Sequence, residues 1–141
     1  MKFQEAIFDK LKKLKILVID SNPIVYIGLK SIFKNSLIIG VVGYSDTQKN
    51  INDQLNLLDI DLIISDIYYK DGNVNNLLKN LKKNKTNIPL IIFTSEANES
   101  KSVSLLKSGA YGFITKNLKK KSIKNVIQEI AFSIYGNKEL N

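Results

Sequence analysis

The stretch that most limits the possible folds is residues 61–66, Asp-Leu-Ile-Ile-Ser-Asp, a short apolar run that stops at Asp66. A short run of Ile and Leu with a turn signal downstream, here Asp71-Gly72, is typical of a strand buried on both faces of a parallel sheet. A polar group at the carboxyl end of such a strand lies at the edge where α/β sheets bind ligands. Asp66 is therefore the first candidate for a functional residue.

Four further apolar runs predict strands, and segments with helical spacing lie between them. The predicted strands cover residues 15–20, 37–44, 61–66, 88–93 and 110–115, and the predicted helices cover residues 23–33, 46–58, 74–81, 99–107 and 119–135. This alternation of strand and helix, repeated five times, predicts a doubly wound α/β domain. Its sheet should be parallel and five-stranded, with helices on both faces and right-handed crossovers.

The two ends of the chain fall outside this domain, which we predict to span residues 15–135. Residues 1–14 predict an amphipathic helix, because Phe3, Ile7, Leu11 and Leu14 recur at helical spacing. Its apolar face is expected to pack on the domain or on a partner chain, with dimerisation as one hypothesis; contact with a membrane surface is the less favoured alternative. Residues 136–141 are predicted to be a tail, or the start of a linker to an output domain that this chain lacks.

The composition excludes several classes of protein. A length of 141 residues, 44% hydrophobic and 24% charged, suits one globular domain with a sizeable core. The absence of Cys argues against a disulfide scaffold, a zinc site and a thiol nucleophile, and the absence of His removes Ser-His-Asp catalysis. No apolar stretch approaches the roughly 18–20 residues that span a bilayer, and no signal peptide precedes the first strand, so we expect a cytoplasmic protein.

The formal net charge of +8 raises the question of nucleic-acid binding, since basic surfaces attract phosphate backbones. All 21 basic residues are Lys, whereas direct contacts to base edges favour Arg. A solvated basic surface is the favoured interpretation, and direct DNA binding by this chain is the weaker one.

Polar residues follow four of the five predicted strands, namely Asp20, Asp66, Thr94 and Lys116. Polar residues often end strands, so any one of them alone would carry little information. In a doubly wound sheet, however, these strand ends share one edge. Two acids, a hydroxyl and an amine together provide cation ligands, a nucleophilic carboxylate, a hydrogen-bond donor and an anion clamp. Phosphoryl transfer needs such a set, because its catalysis consists mainly of positioning and charge neutralisation.

Four segments, spread over residues 15–135, together resemble the receiver domains of two-component response regulators. They are residues 16–20 (Ile-Leu-Val-Ile-Asp), 61–66 (Asp-Leu-Ile-Ile-Ser-Asp), 88–94 (Ile-Pro-Leu-Ile-Ile-Phe-Thr) and 109–116 (Gly-Ala-Tyr-Gly-Phe-Ile-Thr-Lys). The last segment is the most specific. Residues 22–25 (Asn-Pro-Ile-Val), with Gly28-Leu29, are similar to the branch that usually carries a LuxR-type (NarL/FixJ-like) helix-turn-helix, and residues 136–140 resemble the start of its linker. The resemblance implies a flavodoxin-like (CheY-like) fold with strand order 2-1-3-4-5 and a regulator instead of an enzyme.

The resemblance also implies a role for each matching residue. Asp66 would accept a phosphoryl group from a histidine kinase, with Thr94 bonding a phosphoryl oxygen and Lys116 pairing with the phosphoryl charge. Mg²⁺ would be held by Asp20, Asp66 and the backbone carbonyl of Tyr68. Thr94 and Phe113 would form the switch that transmits phosphorylation to the surface, although Phe113 can equally be an ordinary core residue. The implied partners are the kinase, a second copy of the chain, and DNA only through a separate output domain.

The sequence departs from the family pattern in three places. Ser21 stands where the family places a second acid after the first strand, so we expect Mg²⁺ binding to be weaker. Tyr69-Lys70 replaces a frequent Met-Pro pair, and Lys70 could supply positive charge near the phosphate or be a plain loop residue. Asn117 replaces the frequent Pro after Lys116, which predicts a trans peptide bond there because a non-Pro cis bond costs about 3 kcal/mol.

These departures leave three hypotheses. The first is a working phosphoacceptor that controls an output, and the expected output is transcription. The second is an atypical receiver that has become independent of phosphorylation and acts as a dimerisation or docking module. The third, a small flavodoxin-like enzyme or nucleotide binder, is the weakest, because no glycine-rich phosphate loop follows the first strand. We favour the first.

Overall fold

The computed structural model describes residues 12–96 and 98–140, the last four of these as backbone only. The strands are β1 (Leu14–Ile19), β2 (Ile39–Ser45), β3 (Leu62–Ser65), β4 (Tyr68–Tyr69), β5 (Gly72–Asn73), β6 (Leu90–Thr94) and β7 (Gly112–Thr115). The helices are α1 (Pro23–Ile32), α2 (Gln48–Leu57), α3 (Val74–Lys83), α4 (Glu99–Lys107) and α5 (Lys120–Leu140).

The main sheet has five strands in the order β2-β1-β3-β6-β7, and every neighbouring pair is parallel. Counted along the main sheet alone, this is the predicted order 2-1-3-4-5, so the predicted flavodoxin-like fold is confirmed. The register aligns the strand ends: Ile19 pairs with Ser65, and Ser65 pairs with Ile92. Because parallel strands run in one direction, the residues that follow them emerge at a common edge.

Two hydrophobic layers enclose the sheet, and β1 shows how the chain divides between them. Ile16 and Val18 point into the layer shared with α1 and α5, whereas Leu17 and Ile19 point into the layer shared with α2, α3 and α4. β3, in the centre, is buried along its whole length. An apolar strand without polar alternation is what burial on both faces requires, and it is why residues 61–66 predicted a central strand.

Short polar side chains cap the amino ends of α1 to α4, and a glycine follows the carboxyl end of α4. Asn22 caps α1 by accepting a hydrogen bond from the Ile24 N–H at 3.0 Å, with Pro23 at the first helical position. Gly109 follows the last residues of α4 with φ of +114°, a conformation that disfavours any residue with a Cβ. The predicted C-terminal glycine of this helix is confirmed.

The structure corrects several predicted boundaries. The predicted N-terminal helix over 1–14 lies outside the described residues up to residue 11, and Leu14 belongs to β1. The second strand begins at Ile39 instead of Leu37, whose side chain is exposed. α5 was predicted to end at Tyr135 but continues through Leu140. Gly136 does not stop it because, unlike Gly109, it keeps a negative φ.

The small antiparallel hairpin of β4 and β5 was not predicted beyond a turn at Asp71-Gly72. It forms because the Tyr69 ring is buried and folds back over Gly72, where a Cβ would lie only 2.8 Å from the ring. The Tyr69 hydroxyl donates to the Gln48 side-chain oxygen at 2.7 Å, which fastens the hairpin to α2. The loop that follows Asp66 is thereby held in one place.

The peptide bond between Lys116 and Asn117 is trans, as predicted, since the described residues contain no cis bond. Within the same residues, no helix combines the length and the apolar character needed to cross a bilayer.

Candidate functional site

A single ammonium group joins two of the strand ends at the carboxyl edge of the sheet. Lys116, just past β7, donates to Asp20 Oδ2 at 2.7 Å and to Asp66 Oδ2 at 2.8 Å. Asp20 follows β1 and Asp66 follows β3, and these residues are 96 and 50 positions away from Lys116 in the sequence. The parallel register is what brings the three side chains together.

Asp20 is the buried member of the pair, with 2% of its surface exposed. Its Oδ1 accepts from the Asn22 N–H at 2.8 Å, and its main-chain carbonyl accepts from the Tyr44 hydroxyl at 2.7 Å. A buried carboxylate is tolerable only when it is paired and hydrogen-bonded. Asp20 meets both conditions through Lys116 and Asn22.

Asp66 is more accessible, because 20% of its side chain is exposed. Its Oδ1 accepts from the Ile67 N–H at 2.7 Å, and its own N–H donates to the Ile19 carbonyl at 2.9 Å. The neighbouring Ser65 hydroxyl donates to the Asp66 carbonyl at 2.8 Å. The carboxylate is thus held in a defined orientation while one side remains open to solvent.

Lys116 is half-buried, and two opposing effects act on its pKa. Burial lowers the pKa of the ammonium, but its hydrogen bonds and charge interactions with Asp20 and Asp66 outweigh burial and raise the pKa above the ordinary lysine value. The Lys116 N–H also donates to the Thr94 carbonyl at 2.8 Å. Lys116 is therefore a fixed positive charge at neutral pH, attached to β6 through its backbone.

The other predicted residues lie around this centre. Thr94 ends β6 and is buried, and its Oγ1 accepts from the Glu96 N–H at 3.2 Å, which leaves the hydroxyl proton for another acceptor. Phe113 in β7 is partly buried and packs against the layer of α2, α3 and α4. Tyr68 begins β4, two residues beyond Asp66, with an exposed ring over which the Lys101 ammonium lies 5.0 Å from the centre.

Two carboxylates are available to hold a metal ion. Asp20 and Asp66 already converge on one cationic group, so their geometry suits a cation, and oxygen is the ligand that Mg²⁺ prefers. Ser21, where a further acid would stand, is exposed. In the described residues no group of three or more Asp, Glu, His or Cys side chains could surround a metal. Among the residues that the structure describes, the site has the two acids that the sequence indicated and no third.

Three contacts at this site were not predicted from the sequence. The Asn22 N–H on Asp20 belongs to an Asx-type turn, and the order Asp-Ser-Asn-Pro is a readable signal for one. The Ile67 N–H on Asp66 had no signal, because any residue can supply a backbone donor. The Tyr44 hydroxyl had none either, since only the pairing of β1 with β2 brings it to Asp20.

The fold and the site define a class of protein: a doubly wound α/β domain whose sheet edge carries a partly open carboxylate, a buried one and a lysine. The sequence profile of the response regulator receiver domain matches residues 16–128. The chain belongs to that family, as its resemblance predicted.

Curated relatives carry the same assignment. The chain is 27% identical over 116 residues to the response regulator protein VraR of Staphylococcus saprophyticus, an alignment that covers 82% of this chain and 56% of the relative. It is 26% identical over 116 residues to the nitrate/nitrite response regulator protein NarL of Escherichia coli K12, covering 82% of this chain and 54% of the relative. The chain thus spans about half the length of these relatives.

Solved structures agree with the fold. The signal receiver domain of a putative LuxO repressor protein from Vibrio parahaemolyticus superposes with a TM-score of 0.78 at 18% identity, covering 92% of this chain and 97% of the other. The receiver domain of a putative response regulator NarL from Mycobacterium tuberculosis gives a TM-score of 0.76 at 17% identity, with 85% and 97% covered. At these identities the comparison speaks for the fold alone.

Proposed function

We propose that this chain is a phosphoacceptor: Asp66 takes a phosphoryl group from a histidine kinase, and the resulting change in the domain surface controls an output. The observation that carries the proposal is the Lys116 ammonium, bonded at once to a buried Asp20 and a partly open Asp66. Membership of the receiver family supports it.

The exposure of the two acids assigns their roles. The Asp20 side chain is 3% exposed and the Asp66 side chain 20%, so a phosphoryl donor can reach Asp66 and not Asp20. In the transfer, an Asp66 carboxylate oxygen forms a bond to phosphorus as the bond from phosphorus to the kinase imidazole nitrogen breaks, and that nitrogen keeps the electron pair. The Ile67 N–H fixes the carboxylate for this attack.

Lys116 and Thr94 would stabilise the transferred group. The Lys116 ammonium, which already lies 2.8 Å from Asp66, would pair with the negative phosphoryl oxygens. The Thr94 hydroxyl would donate its proton to one of these oxygens, since Glu96 occupies only the acceptor side of that hydroxyl. Both groups are set in position by the ends of β6 and β7.

Asp20, Asp66 and the Tyr68 carbonyl are the groups that would hold Mg²⁺. Bound there, the ion would supply positive charge to the phosphoryl oxygens. The three side chains Asp20, Asp66 and Lys116 carry one net negative charge, and Ser21 adds none. A site with a further acid would attract the ion more strongly, so we expect weak binding by this chain.

Phosphorylation adds about −1.5 to −2 charge at Asp66, together with oxygens that accept new hydrogen bonds. Thr94 would move toward the new oxygens. Phe113 would follow it, because it lies on β7, which pairs with β6. The surface formed by α4, β7 and α5 would change as a result. This is the switch through which a partner could sense the phosphoryl group.

The output of the whole protein is inferred from its relatives. One is described as a nitrate/nitrite response regulator and another as a probable transcriptional regulatory protein. We infer that the whole protein acts in the cytoplasm, controls transcription through an output domain following residues 136–140, and dimerises. A beryllofluoride-activated receiver domain solved as a dimer, at a TM-score of 0.72, illustrates that arrangement in a similar fold.

The test is phosphorylation with a small phosphodonor in Mg²⁺, followed by intact-mass measurement. Wild type should gain one phosphoryl group, about 80 Da, and Asp66→Asn should gain none. Asp71→Asn is the matched control, because Asp71 lies on the neighbouring hairpin turn and its carboxylate is bonded to the Gln48 N–H instead of Lys116. Equal labelling of wild type and Asp66→Asn would refute the proposal.

A second candidate is a receiver that works without phosphate as a dimerisation or docking module. The observation in its favour is that the Lys116 ammonium already neutralises part of the charge of Asp20 and Asp66. In addition, the described residues contain no group of three or more side chains that could hold a metal ion. It predicts that Asp66→Asn keeps partner binding and self-association unchanged. A gain in partner binding or self-association when wild type is phosphorylated, absent from Asp66→Asn under the same treatment, decides for the first candidate.

A further inference from the structure

Tyr44 lies at the site without taking part in its proposed chemistry. It is the penultimate residue of β2, and its hydroxyl donates to the main-chain carbonyl of Asp20 at 2.7 Å. We propose that Tyr44 is a positioning residue for the cation site. It would fix Asp20, the acid that follows β1, where Ser21 supplies no second carboxylate. This inference rests on the proposed function, since it concerns the ion that phosphoryl transfer would use.

The Asp20 backbone is held by β2 at both of its polar atoms. Its N–H donates to the Ser45 carbonyl at 3.2 Å, and its carbonyl accepts from Tyr44. The first bond continues the parallel ladder past Ile19, which pairs with Ser45. The second is made by a side chain, so a substitution can remove it without altering the ladder.

The Tyr44 ring is itself held in place by a residue of α1. It stacks on Tyr26 of α1 with the ring centres 5.5 Å apart and the planes 28° from parallel. The Lys30 ammonium lies 5.5 Å from the centre of the Tyr26 ring. A stacked pair of this kind stabilises the ring beyond the contribution of its buried area, so the hydroxyl has a defined place from which to donate.

Preorganisation matters more in this chain because Ser21 supplies no second carboxylate. A coordinating side chain that is already fixed loses little conformational freedom when an ion binds, so the ion binds more tightly. With Tyr44, the Asn22 N–H and Lys116, Asp20 is fixed at its carbonyl and at both carboxylate oxygens.

The experiment is Mn²⁺ binding, measured by electron paramagnetic resonance on wild type, Tyr44→Phe, Tyr111→Phe and Asp20→Asn. Tyr111→Phe is the matched control, since its hydroxyl is also hydrogen-bonded, to the Ser133 hydroxyl at 3.0 Å, but Tyr111 precedes β7 at the end of that strand away from Lys116. We expect a roughly three- to tenfold weaker Kd for Tyr44→Phe, less than about a twofold change for Tyr111→Phe, and the largest loss for Asp20→Asn.

A second readout separates positioning from general damage. In Tyr44→Phe the Mg²⁺ concentration for half-maximal phosphorylation should rise by the same factor, while the maximal rate at saturating Mg²⁺ stays that of wild type. An unchanged Kd, equal losses in both Phe variants, or a wild type that binds no Mn²⁺ overturns the inference. If wild type binds Mn²⁺ with the expected Tyr44 dependence but Asp66 accepts no phosphoryl group, the proposed function fails and this inference stands.

Discussion

Replacing Lys116 by Met tests whether one ammonium holds the site together. The substitution keeps an unbranched side chain of similar length but leaves Asp20, whose side chain is 3% exposed, without its counter-ion. It also removes a charged hydrogen bond to Asp66. We expect Lys116→Met to lower the free energy of unfolding substantially at neutral pH.

The magnitude follows from burial. Removing one partner of a fully buried ion pair costs about 3–5 kcal/mol, because the remaining charge stays desolvated. Lys116 and Asp66 are 21% and 20% exposed, so water compensates for part of this. The expected loss is about 2–4 kcal/mol, measured by urea unfolding monitored by circular dichroism and extrapolated to water.

Lys101→Met is the matched control. Lys101 also bonds a carboxylate, Glu96, at 3.1 Å, but those side chains are 34% and 58% exposed. An ion pair between exposed side chains contributes little to stability, because water already solvates both charges, so this variant should lose clearly less than Lys116→Met. Similar losses in Lys101→Met and Lys116→Met would refute the reasoning from burial. Adding Asp20→Asn to Lys116→Met should recover part of the stability, because the unpaired buried charge is then gone.

Three further predictions follow from the same contacts. Lys116 has a raised pKa, so its contribution to stability is complete below the unfolded value of about 10.4 and is lost as the pH rises through the folded value; alkaline urea titration should show a steeper decline in wild type than in Lys116→Met. Gly109→Ala should cost about 1 kcal/mol, because φ is +114° although the space around it is open, and thermal unfolding measures the loss. Thr94→Val should cost about 1 kcal/mol in urea unfolding through the lost bond to the Glu96 N–H, and should slow phosphorylation of Asp66 well beyond that structural effect.

Much of the fold could be predicted because the apolar runs are strongly patterned. The central strand and α4 illustrate this: residues 61–66 contain β3, and the predicted 99–107 is the observed helix. The predicted end of α5 at Tyr135 was wrong because the glycine at position 136 can remain helical when nothing forces a positive φ. The β4–β5 hairpin was missed because its stability comes from Tyr69 packing against Gly72 and α2, contacts that no local pattern contains.

The linear order of residues determined which chemical groups stand at the strand ends, since alternating apolar runs and polar punctuation are local properties that a chain carries wherever it folds. Only the tertiary structure decided that Lys116 bonds both acids, that Asp20 is buried while Asp66 is open, and that Tyr44 reaches the Asp20 carbonyl. Those facts depend on the register of parallel strands that are far apart in the chain. The long-range packing of two hydrophobic layers sets that register.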